Sequence, residues 1–125
     1  MRKHNSQFSK DEKGFLHGFL RANVGKVNSY KVHFEDRASE RHFSFADALE
    51  TLKTGLIVEV HNDKNPDVRV LVRSKNGTCV VVSLVTWEVV TVYYNDPEDN
   101  HYGLNYNLYR WNVNAVELVK GMRAA

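Results

Sequence analysis

The stretch Val68-Arg69-Val70-Leu71-Val72-Arg73-Ser74-Lys75-Asn76-Gly77-Thr78-Cys79-Val80-Val81-Val82-Ser83 decides the fold. Residues 68–73 alternate, which places Arg69 and Arg73 on one face of a strand. Asn76-Gly77 is the strongest short hairpin signal a sequence offers. The run Thr78 to Val85 then returns, and Thr86-Trp87 turns the chain again into Glu88-Val89-Val90-Thr91-Val92-Tyr93-Tyr94. The β-branched density of these last two runs predicts central strands covered on both faces. Upstream, Leu56 to Val60 reads as a further strand, and Asp63 to Pro66 as a polar turn.

Before Leu56 the period is helical. Ser9 and Glu12 form a capping box, and Phe15, Leu16, Phe19 and Leu20 supply an apolar stripe that ends near Asn23 to Gly25. Residues 1–8 read as a flexible tail. A second helix is expected from about Tyr30 to Arg41, capped by Asn28 or Ser29. Ser44 caps a third, with Asp47 at its third position and Phe45, Ala48, Leu49 and Leu52 on its buried face. Gly55 stands where a helix end favours a left-handed residue. The layout is a single α+β domain over residues 1–125. Its N-terminal helices pack on one face of a three- to four-stranded antiparallel sheet, with an extra C-terminal element. In that element Asn105 to Trp111 reads as a short helix, and Val113 to Val119 fits a strand or a helix. Leu104, Leu108 and Trp111 are expected to dock on the core. The same aromatic, asparagine-rich run also suits stacking on unpaired bases, with Arg110 beside it.

The chain has 125 residues and a formal net charge of +2. That excludes a global polyelectrolyte footprint. Yet residues 1–42 carry nine Lys/Arg against five Asp/Glu, together with His4, His17, His33 and His42. A basic side is therefore compatible with this sequence. The lone Cys79 excludes an internal disulfide and a thiolate metal cage, and its apolar neighbours mark it as a core residue. Asp96, Glu98, Asp99 and His101 read as an acidic loop rather than a cation site, and no metal or cofactor is expected. The polar, basic start and the lack of long apolar runs lead to the expectation of a cytoplasmic protein without membrane contact.

His33, Arg37 and Arg41 follow one another at intervals of four. On a helix this stacks them on one face. Arginines neutralise phosphate oxygens through forked hydrogen bonds, and an imidazole moves protons near neutral pH. The set is what metal-free phosphodiester cleavage needs. Glu35, Asp36 and Glu40 keep a second reading open, a solvated helix with local ion pairs. Arg69 and Arg73 either extend a basic RNA-binding surface or simply face solvent.

The run His33-x-x-x-Arg37-x-x-x-Arg41-His42-Phe43-Ser44-x-x-Asp47-Ala48-x-x-Thr51-Leu52-x-x-Gly55-x-Ile57 resembles the signature of a family of small bacterial and phage domains. The typical pattern there is a His, an Arg four later and another Arg four later. Gly-Ile-Ser, an Asp-Val pair, a Leu and a Gly follow. Val89-Val90-Thr91-Val92-Tyr93 is similar to that family's last strand. By fold the family is grouped with the barnase–EndoU–colicin–RelE superfamily, close to the BrnT toxins. The resemblance covers roughly residues 30–95. Two departures stand out: His42-Phe43 replaces Gly-Ile, and residues 1–28 and 96–125 have no counterpart. The resemblance implies a RelE/barnase-like ribonuclease toxin with His33, Arg37, Arg41, Thr91 and Tyr93 as its catalytic positions and RNA as its partner. The alternative is a non-catalytic phage or bacterial protein on the same scaffold that binds an antitoxin or a host factor. The added ends favour it, because additions to a compact fold often cover its cleft.

Overall fold

A computed structural model describes residues 1–28, 35–36, 41–96 and 106–124. In chain order these form β1 (Arg2–His4), α1 (Lys10–Asn23), β2 (Glu35–Asp36), β3 (Arg41–His42), α2 (Phe45–Thr54), β4 (Leu56–His61), β5 (Arg69–Arg73), β6 (Thr78–Ser83), β7 (Val89–Tyr94) and α3 (Ala115–Ala124). The expected α+β architecture holds. One antiparallel sheet has the order β1-β4-β5-β6-β7, and β2 pairs with β3 in a separate two-stranded ladder.

Both capping boxes form. The Ser9 hydroxyl accepts from Glu12 N (3.1 Å), and Ser9 N donates to the Glu12 carboxylate (2.9 Å). Ser44 and Asp47 do the same at the start of α2. Leu16 and Leu20 of α1 and Ala48 and Leu52 of α2 are then buried against one face of the sheet, as the helical spacing requires. Val70, Val72, Val80, Val82, Val89 and Val92 meet them, and Ala115 and Val119 of α3 complete this core.

The β5–β6 hairpin closes as the Asn76-Gly77 signal predicts, through a loop of Lys75, Asn76 and Gly77. Gly77 N donates to Ser74 O (3.1 Å), Ser74 N donates to Thr78 O (2.8 Å), and Gly77 has φ +94°. Only glycine takes that angle without strain. Gly55 differs from expectation: its φ is −78°, which is not left-handed. A glycine is needed there for space, since an added Cβ would lie 2.6 Å from Thr51 O and 2.8 Å from Arg73 O.

Four further expectations are corrected. Residues 2–4 are a fifth strand rather than part of a tail, because Lys3 pairs opposite Val60 and its ammonium reaches Val113 O at 2.7 Å. Tyr30 to Arg41 is not one helix. Glu35 and Asp36 pair antiparallel with His42 and Arg41. Tyr30, Val32 and Phe34 lie outside the described residues, and in the sequence they alternate at a period of two. The spacing of His33, Arg37 and Arg41 is even, so it fits that period as well as a helical one. β7 is an edge strand, half-buried along most of its length, while β6 is central and covered. In the C-terminal element Tyr106–Leu108 is a single 3-10 turn and 115–124 a helix. Leu108 is exposed and Tyr109 takes the buried position, while Trp111 packs on the core; Leu104 lies outside the described residues.

Candidate functional site

The second face of the sheet, opposite the helices, carries Thr91, Tyr93 and a buried polar cluster. Val58, Leu71 and Cys79 form its small apolar floor, with Val81 and Tyr93 packed against them. Cross-strand partners share a face, so Cys79 and Tyr93 stand side by side, as do Val81 and Thr91. Thr91 and Tyr93 are therefore neighbours on one face of β7, as their spacing predicts. Burial pushes the Tyr93 phenol far above its usual range, with Cys79 and Glu59 adding to the effect. It is a neutral hydroxyl and no proton source near neutral pH. Burial likewise pushes the Cys79 thiol up to about 11, against the pull of Arg73, so Cys79 is inert core as expected.

Toward β1 the same face turns polar. Glu59 is buried, and Tyr109 Oη donates to its Oε1 at 3.1 Å. Among the described residues its Oε2 has no hydrogen-bond partner, and it lies 3.7 Å from Arg2 Nη1. Arg2 Nε donates to Asp63 at 2.8 Å. The His4 ring meets Tyr109 edge-on at 5.5 Å. His61 stands opposite Arg2, and burial lowers its pKa although Asp63 and Glu59 pull the other way. None of this cluster was picked out as a candidate site from the sequence. The alternation of Arg2 with His4 and of Glu59 with His61 was the signal available, since each pair sits two apart on one strand.

His33 and Arg37 lie outside the described residues, and Arg41 is placed by its backbone in β3, opposite Asp36. β2 packs against β7, the strand that carries Thr91 and Tyr93. The link begins at Asn28, which lies parallel to Glu88: Asn28 N donates to Trp87 O (2.9 Å), and Val89 N donates to Asn28 O (2.8 Å).

The three other arginines do not form one patch. Arg69 and Arg73 share a face but stand four residues apart, about 13 Å along the strand. Arg69 is tied to Asp67 at 2.7 Å. Arg110 bonds Asn107 in an exposed turn at 2.5 Å. Arg73 instead joins His17, Arg21 and Lys75 around a groove of about 430 Å³. Of the acidic run, Asp96 is exposed, and Glu98, Asp99 and His101 lie outside the described residues.

A family model described as a domain of unknown function (DUF4258) matches residues 30–101, more than half of the chain. The chain belongs to this family. No curated protein and no solved structure matches it. The DUF4258 span holds β2 to β7 and α2, hence four of the five strands of the main sheet. It contains Glu59, Thr91 and Tyr93, whereas Arg2, His4 and Tyr109 come from outside it.

Proposed function

We propose that this DUF4258 chain is a metal-independent endoribonuclease of the RelE/BrnT toxin kind, acting on RNA in the cytoplasm and held in check by an antitoxin. His33 takes the proton from a ribose 2′-hydroxyl. The 2′ oxygen then attacks phosphorus, the bond from phosphorus to the 5′ oxygen breaks, and the protonated His33 gives its proton to that oxygen, leaving a 2′,3′-cyclic phosphate. Arg37 and Arg41 neutralise the phosphate oxygens as charge builds. Thr91 and Tyr93 offer neutral hydroxyls that orient the ribose or phosphate.

The observation that supports this reading is the packing of β2, Glu35–Asp36, against β7, the strand of Thr91 and Tyr93. The test is labelled structured RNA and tRNA incubated with the protein in EDTA, beside His33→Ala and Arg37→Ala. Cyclic-phosphate products from the wild type, lost in both folded variants, are expected. A folded wild type that leaves RNA intact overturns the reading.

One observation favours a second reading, a non-catalytic phage or bacterial protein that binds and modulates a host factor. Tyr109 comes from outside the family span and seats over Glu59 and His4, on the face where a substrate would lie. Growth arrest on expression separates the two. Relief by His33→Ala supports cleavage, and relief only by changes on an exposed patch supports the binder.

A further inference from the structure

The groove of about 430 Å³ around Arg73 is lined by His17, Arg21, Thr54, Gly55, Leu56, Arg73, Ser74 and Lys75. It is set by three junctions: the second half of α1, the tight α2–β4 turn at Gly55, and the start of the β5–β6 hairpin. Four of its eight lining residues are basic and none is acidic. Among the described residues no carboxylate pairs with His17, Arg21 or Lys75.

Gathering like charges is unfavourable unless something offsets it. A negative helix end would be one such offset, and α2 ends here. Arg21 Nε donates to Lys53 O at 3.0 Å, which anchors the guanidinium at this helix end. His17 is one turn before Arg21 on the same face of α1. Burial lowers its pKa and the Arg21 charge lowers it further, so it is uncharged near neutral pH and can donate one N–H. The Thr54 hydroxyl donates to Glu50 O and the Ser74 hydroxyl to Asn76 Oδ1, which leaves the cations and His17 as the groove's donors, and Leu56, 49% exposed, gives an apolar floor beside them. A bare ion has no use for that floor, whereas a nucleotide does.

We propose that this groove binds a backbone phosphate of single-stranded RNA, with Arg21, Arg73 and Lys75 around the phosphate and Leu56 under the adjoining ribose or base. The inference rests on the RNA reading above and adds to it a second contact, away from the β2–β7 junction. A strand gripped here as well as at the junction is positioned before any reaction occurs.

The test is fluorescence anisotropy of a labelled single-stranded RNA against salt, with the full chain and Lys75→Glu, His17→Gln and the distant exposed Lys64→Glu. Pyrophosphate titration, followed by NMR at His17 and Lys75, runs beside it. Lys75→Glu is expected to weaken RNA binding at least tenfold and to flatten the log–log salt slope by about 0.7, one phosphate contact on a single strand. Lys64→Glu is expected to leave both nearly unchanged. RNA binding with the same slope in Lys75→Glu overturns the groove and leaves the RNA reading standing. No RNA binding by the wild type, with pyrophosphate shifting His17 and Lys75, overturns the RNA ligand and supports an anion site for small phosphates. Absence of both overturns the site altogether.

Discussion

Glu12 shows how much one carboxylate can organise. Lys3 Nζ lies 2.8 Å and 3.1 Å from its two oxygens, Ser9 N donates to one and Ala115 N to the other. Burial alone pushes the Glu12 carboxyl up, but Lys3 and the two backbone N–H groups outweigh it and hold it below the ordinary carboxylate range. Stability from this group is therefore present above the usual glutamate pKa, about 4.3, and is lost as pH falls through the lower folded value. His17 and His61 act in the same direction. Their folded pKa values are depressed, so the unfolded chain takes up protons first as pH falls below about 6.5. Thermal unfolding is expected at lower temperature at pH 5.5 than at pH 7.5, and His17→Gln should shrink the difference. An equal drop in that variant would remove His17 from the account. Glu12→Ala strands a nearly buried ammonium and should cost about 3 kcal/mol or more in urea unfolding. The capping half of this residue's role was legible in Ser9-x-x-Glu12. The bond to Ala115 was not, because its partner is 103 residues away.

At the scale of elements, two glycines do different work. Gly55 lets α2 end close against β5, and Gly77 gives the hairpin a positive φ. Alanine at either position is expected to destabilise. Gly77→Ala carries backbone strain of the order of 1 kcal/mol. Steric crowding adds to this, since a Cβ at Gly77 would lie 2.4 Å from Asn95 O and 2.5 Å from the Tyr94 ring, and one at Gly55 2.6 Å from Thr51 O and 2.8 Å from Arg73 O, so backbone must give way in both variants. Because Gly55 also lines the basic groove, its variant should shift NMR signals of Arg73 and Lys75; unmoved signals there would mean the junction absorbs the methyl without altering the groove. α1, α2 and the β5–β6 hairpin were readable because caps, stripes and Asn-Gly turns are local. The helix expected from Tyr30 to Arg41 fails at Glu35–Asp36 and Arg41–His42, because a four-residue spacing is also a multiple of two and does not by itself separate a helix from a strand. The site was legible only within strands: Thr91 and Tyr93 share a face by period, but Tyr109 reaches Glu59 by a return of the chain from 50 residues away.

Across the whole molecule, the DUF4258 span and its surroundings share one core. Leu16, Leu20 and Val24 come from before the span, and Ala115 and Val119 from after it, yet all belong to the cluster built on the valines of β5 and β6. A chain cut to residues 30–101 is expected to unfold without a cooperative transition by circular dichroism. A sharp sigmoidal transition would mean that the span's own core suffices. The ends also close the ladder. On one side β1 covers β4, and Trp111 N donates to Arg2 O at 3.1 Å. On the other, Asn28 and β2 meet β7. Each outer strand thus meets another part of its own chain, the arrangement that keeps a sheet from templating its neighbours into aggregates. Three residues, Arg2 to His4, stand between β4 and that fate. A chain that frayed there would offer Glu59-Val60-His61 as a ready seed for strand-by-strand polymerisation.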